Sequence, residues 1–336
     1  MDVDHGADSI TALRHHTSRS PQSVALAAWS RLILKNTLRI WARFPDLGWP
    51  LASVDRMAGL VPQSVSAVSQ RIALPHCRAE LVGKRNPAAP RAILYLHGGA
   101  FLTCGLNTHR SMVARLSEAA DAEVLNVGYR LLPANRLSCA VEDALDGLDW
   151  LFRRGYRSHE IVIAGDSAGG YLALASTLEL IRRGGGPVAG VAALSPLTDL
   201  DPRRKLAGRG AGSCSMFPAN ALAMFARYVR RGDQTLPAEG GGEVLSPADA
   251  DLTAMPPVMI HASTGEILLP DAELMYERLQ EAGTPCELHL WDGQIHDFPL
   301  AADVLPEGRR ALEHVGAFAK KVTAAGAAIG RHAAAG

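Results

Sequence analysis

Ile161-Val162-Ile163-Ala164-Gly165-Asp166-Ser167-Ala168-Gly169-Gly170 is the stretch on which the fold is decided. Four apolar β-formers lead into G-x-S-x-G, and the helix-like Tyr171–Ile181 follows. A strand that turns sharply into a helix through a serine exposes that hydroxyl at the tip of the turn. Glycines two residues either side let strand and helix approach closely. In a chain with 32 glycines the five-letter motif by itself is weak, and a plain structural turn competes with it. The strand before it and the helix after it turn the reading towards a nucleophile, Ser167.

Working outward, short β-like runs alternate with helical patterns from about Arg91 onward. The runs are Ala92–Leu96, Val124–Tyr129, Ile161–Ala164, Val188–Leu194, Pro257–His261 and Cys286–Trp291. Helix-like segments lie near Thr108–Ala120, Ala140–Arg154, Ser167–Arg183 and Ala272–Ala282, with another at Glu307–Thr323. Continuous apolar runs alternating with helices predict a doubly wound α/β fold: a mostly parallel central sheet with helices on both faces. Two regions break the pattern. One is the N-terminal arm to about Pro62, read as helices interrupted at Pro45, Pro50 and Pro62; the other is 201–243, with a helical stretch Pro218–Arg230 and a Gly240–Gly242 loop. Insertions of that length between α/β units usually serve as lids or binding loops.

A serine that attacks a carbonyl needs backbone N–H groups aimed at the developing oxyanion. Ala168, directly after the nucleophile, is one expected donor. The run Ala92–Leu96 ends in His97-Gly98-Gly99-Ala100-Phe101, and the glycine pair makes Gly98 and Gly99 the other candidates. In folds built around this kind of elbow the acid and then the histidine follow the serine in the chain. Downstream of Ser167 lie His261, His289, His296, His314 and His332. His261 and His289 fall inside β-like runs and read as hydrogen-bonded core residues. His314 is mid-helix and His332 is in the tail, so His296, in the loop after the last strand, is the base by elimination. For the acid, Glu266 lies nearest the end of the preceding strand. Asp271 falls where an acidic residue usually serves a helix N-terminus, and Asp199 is the rival one strand earlier.

The composition sets the outer limits. Thirty-four basic side chains balance 34 acidic ones, which argues against nucleic acid as the main partner. An apolar share of 48% excludes a largely disordered chain. Five scattered cysteines without a C-x-x-C pair indicate neither a disulfide framework nor a zinc site and point to a reducing cytoplasm. His15-His16 reads as an isolated pair in a polar arm, so no metal site is expected. Met1–Ser20 lacks the apolar core of a signal peptide, and no stretch approaches 18 uninterrupted apolar residues.

With these residues in view, His97-Gly98-Gly99-Ala100-Phe101, Tyr129-Arg130-Leu131-Leu132-Pro133 and Gly165-Asp166-Ser167-Ala168-Gly169-Gly170 resemble the hormone-sensitive-lipase family of bacterial carboxylesterases, a branch of the α/β-hydrolase fold. Ser195-Pro196-Leu197-Thr198-Asp199 and Ser246-Pro247-Ala248 match further landmarks, and the similarity spans about Arg91 to Phe318. The resemblance implies hydrolysis of carboxylic esters, usually of short- to medium-chain acyl groups, without a cofactor. It implies a Ser167–His296–Glu266 triad, with His97, Gly165, Asp166 and Gly169 as supporting motif residues. It also implies a helical cap made from arm 1–62 and insertion 201–243 over a core of 63–200 and 244–325, with 326–336 as a flexible tail. The chain departs from the family at Ala100, where a third glycine is common. Gly265 stands where many members have an Asp, and Ala134 where a Glu is familiar.

Residues 9–45 carry six basic side chains and no acidic one. Arg31, Lys35, Arg39 and Arg43 recur every four residues and so share one helical face. The preferred reading is a cap helix with a solvated basic face; a basic amphipathic helix lying on an anionic membrane is the alternative. A homodimer is left open. The competing functions are an amidase or arylformamidase using the same three residues, and a non-catalytic small-molecule receptor on the same fold.

Overall fold

All six apolar runs read from the sequence are strands, and they lie together in one sheet. A computed structural model of the chain describes residues 11–60, 69–83, 89–235 and 245–334. Its elements run in the order β1 (Ala12–His16), α1 (Pro21–Leu32), α2 (Leu34–Arg43), α3 (Leu51–Ala58), β2 (Ser69–Ala73), β3 (Arg78–Val82), β4 (Ala92–Leu96), α4 (Leu106–Ala120), β5 (Glu123–Gly128) and α5 (Leu137–Arg153). There follow β6 (Ile161–Asp166), α6 (Ala168–Arg182), β7 (Gly190–Leu194), α7 (Arg203–Ala207), α8 (Gly210–Ser213), α9 (Ala219–Thr235), β8 (Val258–Ser263), α10 (Leu269–Glu281), β9 (Cys286–Trp291) and α11 (Pro306–Ala334).

The sheet order is β1-β9-β8-β7-β6-β4-β5-β3-β2. Every neighbouring pair from β1 to β5 is parallel, whereas the β5–β3 and β3–β2 pairings are antiparallel, so β3 alone runs against the other strands. The doubly wound reading therefore holds, and it holds for the reason that prompted it. Strands β4, β6, β7 and β8 are buried along their whole length, as strands covered by helices on both faces must be. Side chains alternate between the two covering layers. Leu94 and Leu96 of β4 join one core with residues of α5, α6 and α10, whereas Ile93 and Tyr95 join the other with residues of α4 and α11.

Strands β1, β2 and β3 were not expected. Ala12–His16 is mostly exposed and has no apolar alternation, so nothing in its side chains announces a strand. It is held by its backbone ladder to β9, from Ala12 opposite Glu287 to His16 opposite Trp291. The last helix also continues to Ala334, past the point where the sequence reading ends it and begins a flexible tail.

The arm breaks before Pro45 and resumes after Pro50, as the prolines require. Pro62 and the Gly240–Gly242 loop lie outside the described residues. The row of basic residues is not continuous, because α1 ends and α2 begins around Ile33, between Arg31 and Lys35. Lys35 Nζ donates to Cys214 O at 2.7 Å, and Arg31 reaches Ser213 O at 3.5 Å. Two of the four basic side chains thus fasten the arm to the inserted segment. Above the sheet's C-terminal edge, Trp41 of α2 stacks on Phe225 and Tyr228 of α9, with centroids 5.1 and 6.0 Å apart. Asp55 of α3 accepts the Asn107 and Thr108 N–H groups, each at 2.9 Å, and so caps the start of α4. No helix among the described residues is long and apolar enough to cross a membrane.

Candidate active site

Ser167 sits between β6 and α6 with φ 52° and ψ −113°, a conformation that side chains rarely adopt. The close approach of neighbours explains the glycines around it. A Cβ on Gly169 would fall 1.9 Å from Leu96 O, and one on Gly165 would fall 2.3 Å from Gly169 O. The turn is tied down by Ser167 N–H donating to Leu194 O at 2.8 Å.

His296 lies in the loop after β9, fully buried, with both ring nitrogens engaged. Its Nε2 is 2.9 Å from Ser167 Oγ, and its Nδ1 is 2.5 Å from Glu266 Oε2. Glu266 Oε1 accepts the Ser263 N–H at 2.8 Å, which fixes the carboxylate's orientation at the end of β8. The Ser263 hydroxyl donates to Gln294 O at 2.7 Å and so locks the Glu266 loop to the His296 loop. An ionised Glu266 can only accept, so the network assigns the Nδ1 proton to His296 and leaves Nε2 facing the serine. Ser167, His296 and Glu266 are therefore brought together.

The two rival carboxylates are elsewhere. Asp199 Oδ1 accepts from Asp201 N–H and Ser246 Oγ. Asp271 does stand in the first turn of α10, but its carboxylate does not serve that helix. It is buried against Lys205 Nζ at 3.0 Å and accepts the N–H groups of Thr198 and Asp199.

One expected oxyanion donor must be corrected. The Gly98 N–H donates to Asp166 Oδ1 at 3.0 Å and is not free to meet a substrate. The turn continues through Gly99 (φ 114°) and Ala100 (φ 54°), whose N–H groups have no partner among the described residues. Ala168 begins α6, where a backbone N–H has no intrahelical acceptor. Alanine at position 100 carries the same backbone N–H as glycine would.

Asp166 is the brace for this turn. Besides Gly98 N–H it accepts Tyr95 Oη–H at 2.7 Å and faces His109 Nε2 at 3.1 Å, all in the interior. Burial would push its carboxyl up, but His109 and Tyr95 outweigh that and hold it below the usual carboxylate range. His97 supports the loop from its own side: Nδ1 contacts Gly98 O at 2.7 Å, and its ring stacks on Tyr129. Burial lowers the His97 pKa to about 4, so its ring is neutral. No motif or spacing in the chain singles out Tyr95 or His109.

A further residue escaped the sequence reading. Asp297, in the left-handed region at φ 52°, brings Oδ2 to 3.1 Å from His296 Nε2, beside the serine. Burial pushes its carboxyl up to about 7, against the pull of His296. The imidazole responds in turn. Burial alone would lower the His296 pKa, but Asp297 first and Glu266 second raise it well above 6.5.

Ser167 and His296 sit where two cavities meet. One, about 50 Å³, lies under α9 and is closed by Leu197, Phe217, Leu222, Val229 and Ile267. The other, about 380 Å³, opens beneath α2 between Leu38, Trp41, Leu51 and Phe225, with Thr103 and Asp297 as polar groups. Phe217 stands edge-on to the His296 ring at 5.0 Å and divides the two.

Known proteins share this arrangement of the chain. A family model described as alpha/beta hydrolase fold matches residues 93–300. Esterase LipU of Mycobacterium tuberculosis is 39% identical over 87% of this chain and all of that one. The carboxylesterase/phospholipase LipF of the same organism is 39% identical over 88% of this chain and 80% of its own length. Among solved structures, an esterase from the bacterial hormone-sensitive lipase family superposes with a TM-score of 0.77 at 27% identity, over 91% of this chain and 99% of that one. EstE5, soaked with p-nitrophenyl butyrate, gives 0.78 at 30% identity, over 91% and 100%.

Proposed function

The chain belongs to the α/β-hydrolase family, in the branch of the bacterial hormone-sensitive-lipase esterases, and is a carboxylic ester hydrolase; on that premise we propose that it works through Ser167, His296 and Glu266. The observation that carries this reading is the relay from Ser167 Oγ through both nitrogens of His296 to Glu266, buried where two apolar cavities meet.

Ser167 Oγ bonds to the ester carbonyl carbon while His296 Nε2 takes its proton. Glu266 keeps Nδ1 protonated and stabilises the imidazolium without taking that proton itself. The carbonyl oxygen becomes an oxyanion, met by the N–H groups of Gly99, Ala100 and Ala168; removing one such donor typically costs about 10²–10³ in kcat. Gly98 drops out of the donor set and acts through Asp166 as part of the turn's support. The imidazolium then gives its proton to the departing alkoxide, which leaves as the alcohol, and the acyl group stays on Ser167. Water, giving a proton to His296, attacks the acyl carbon; the bond to Ser167 Oγ then breaks, the imidazolium returns its proton to Oγ, and the carboxylic acid leaves.

Small cavities support short- to medium-chain acyl esters as substrates. Even the wider one is near the lower end of the roughly 300–1,000 Å³ of small-molecule sites. The contacts of Arg31 and Lys35 with the inserted segment support the arm as part of a cap. Five unpaired cysteines support a cytoplasmic location.

A p-nitrophenyl ester series from acetate to palmitate, run beside an arylamide, tests the substrate class. The expected result is a maximum at the short to middle lengths, a steep fall towards palmitate, and an arylamide rate far below the ester rate. Preference for palmitate would overturn the chain-length reading, and an arylamide rate equal to the best ester would favour an amidase.

A further inference from the structure

Four histidines take no part in the proposed chemistry yet gather where β1, β9 and α11 meet. His16 ends β1 opposite Trp291, and its ring lies flat on that indole, with centroids 3.8 Å apart and 13° between the planes. The edge of the ring is thereby turned towards β9, where His16 Nε2 comes 3.1 Å from His289 Nδ1. From the other side His314 of α11 brings its Nδ1 to 3.0 Å from the same atom. The three nitrogens all lie within 4.8 Å of one another. His261 stacks on the far face of His289 at 4.4 Å, and its Nδ1 accepts the Trp291 N–H. His16 is thus not half of an isolated pair: the ladder to β9 places it in a cluster that the sequence order conceals.

Hydrogen bonding alone leaves this cluster badly served. Glu287 Oε2 faces His289 Nε2 at 3.4 Å, so the His289 proton belongs on Nε2 and its Nδ1 carries one lone pair. Two other ring nitrogens crowd that single lone pair. A carboxylate holding the distal nitrogen of an imidazole, with the near nitrogen turned towards its fellows, is the usual second shell of a metal-bound histidine. Ligand nitrogens at about 2.0–2.1 Å from a tetrahedral ion lie roughly 3.3 Å apart. The observed 3.0–3.1 Å from His289 to each of the other two nitrogens is within a few tenths of an ångström of that spacing, and all three lie within 4.8 Å.

We propose that His16, His289 and His314 form a three-histidine site for a divalent transition-metal ion of the zinc class, which fastens the N-terminal strand to β9 and to the last helix. Three neutral imidazoles suit zinc, cobalt, nickel and copper rather than magnesium or calcium. His16 and His314 are only partly buried, so the ion is reached from solvent and a water fills the fourth position. Burial first, then the neighbouring imidazoles and Arg14 or Arg310, hold His16 down to about 3 and His314 to about 4, so both are neutral near pH 7. The charges that face the cluster are Arg14 and Arg310, which weaken binding of a cation, and Glu287, which strengthens it. None of the three ligands lines the cavities at Ser167, so the ion's effect is on the anchoring of the strand and not on ester cleavage.

The test is titration of the full chain, first freed of metal with a chelator, with Co²⁺ and with Zn²⁺. One ion per chain should bind. Cobalt should give the visible absorption of a four-coordinate site, and the melting temperature should rise until one equivalent is present. In the double variant His16→Ala/His314→Ala the affinity should fall at least tenfold while metal-free esterase activity is kept. His76→Ala, altering a second cluster with Asp143 and Asp146, should bind as the parent does. Equal affinity in the double variant, or no binding at millimolar Zn²⁺, would overturn the site. Should the double variant not fold, histidine ring signals of the parent decide the matter by NMR. Zinc should move those of His16, His289 and His314; if it leaves them in place the proposal fails.

Discussion

In the proposed mechanism the pH dependence of the esterase follows from two neighbouring residues, His296 and Asp297. Only the neutral imidazole can take the serine proton, so activity rises as His296 loses its charge. Because Asp297 and Glu266 hold the pKa well above 6.5 against burial, the rise in kcat/KM should be centred above pH 6.5. Asp297→Asn removes the largest raising influence while keeping the side chain's size, and should move that midpoint to lower pH; an unmoved midpoint would show that Asp297 does not act on the imidazole. The turn carrying the proposed oxyanion donors offers a second check. A Cβ on Gly99 would lie 2.2 Å from Thr103 O at a φ of 114°, so Gly99→Ala must displace the N–H groups there. Its kcat should drop by about 10²–10³ with an unchanged circular dichroism spectrum. Ser167 and His296 were legible because strand ends and chain order constrain them. Asp297 was not, because a carboxylate beside a histidine in sequence says nothing about which ring nitrogen it faces. Gly98 misled for a related reason: two adjacent glycines look alike until Asp166 is seen to occupy one N–H.

Elements announce themselves in sequence to the extent that they bury a periodic face. The strands from β4 to β9 are mostly apolar and almost wholly buried, so their runs stand out in the sequence, β9 with both its ends, Cys286 and Trp291. β1 pairs along the free edge of β9, and its mostly exposed residues show no strand periodicity in the sequence. That the inserted segment interrupts the α/β alternation is legible in the sequence, but not how it is moored. Lys205 of α7 and Asp271 of α10 are both almost fully buried and 3.0 Å apart, and Lys205 Nζ also donates to the carbonyls of Asp199 and Asp201. Removing one member of such a pair leaves an uncompensated charge inside. Asp271→Ala should therefore cost about 3–5 kcal/mol in urea unfolding, and a loss below ~1 kcal/mol would mean the charge finds water. Trp41 joins the arm to the inserted segment beside the wider cavity. Trp41→Ala should raise KM for p-nitrophenyl esters more than it lowers kcat, since it touches substrate space and not the reacting atoms.

At the scale of the whole molecule, the sheet's parallel strands end together on one side, and the polar side chains of the site stand at those ends. Ser167 follows β6, Glu266 follows β8 and His296 follows β9, while the Gly99–Ala100 turn follows β4. Glu266 and His296, 30 positions apart, follow the adjacent strands β8 and β9, and Ser167, 129 positions before His296, follows β6, two strands in from β8 on the same edge. The arm and the inserted segment, packed on each other through Trp41 and Phe225, complete the walls of the cavities that this core begins. The central claim is that the acyl group passes through Ser167. Rapid-quench mass spectrometry of the protein mixed with p-nitrophenyl butyrate measures this directly. The peptide containing Ser167 should gain the mass of one butyryl group during turnover, and the gain should vanish together with the activity in Ser167→Ala. A Ser167→Ala protein that still hydrolyses the ester, or a butyryl group found on another residue, would contradict the account.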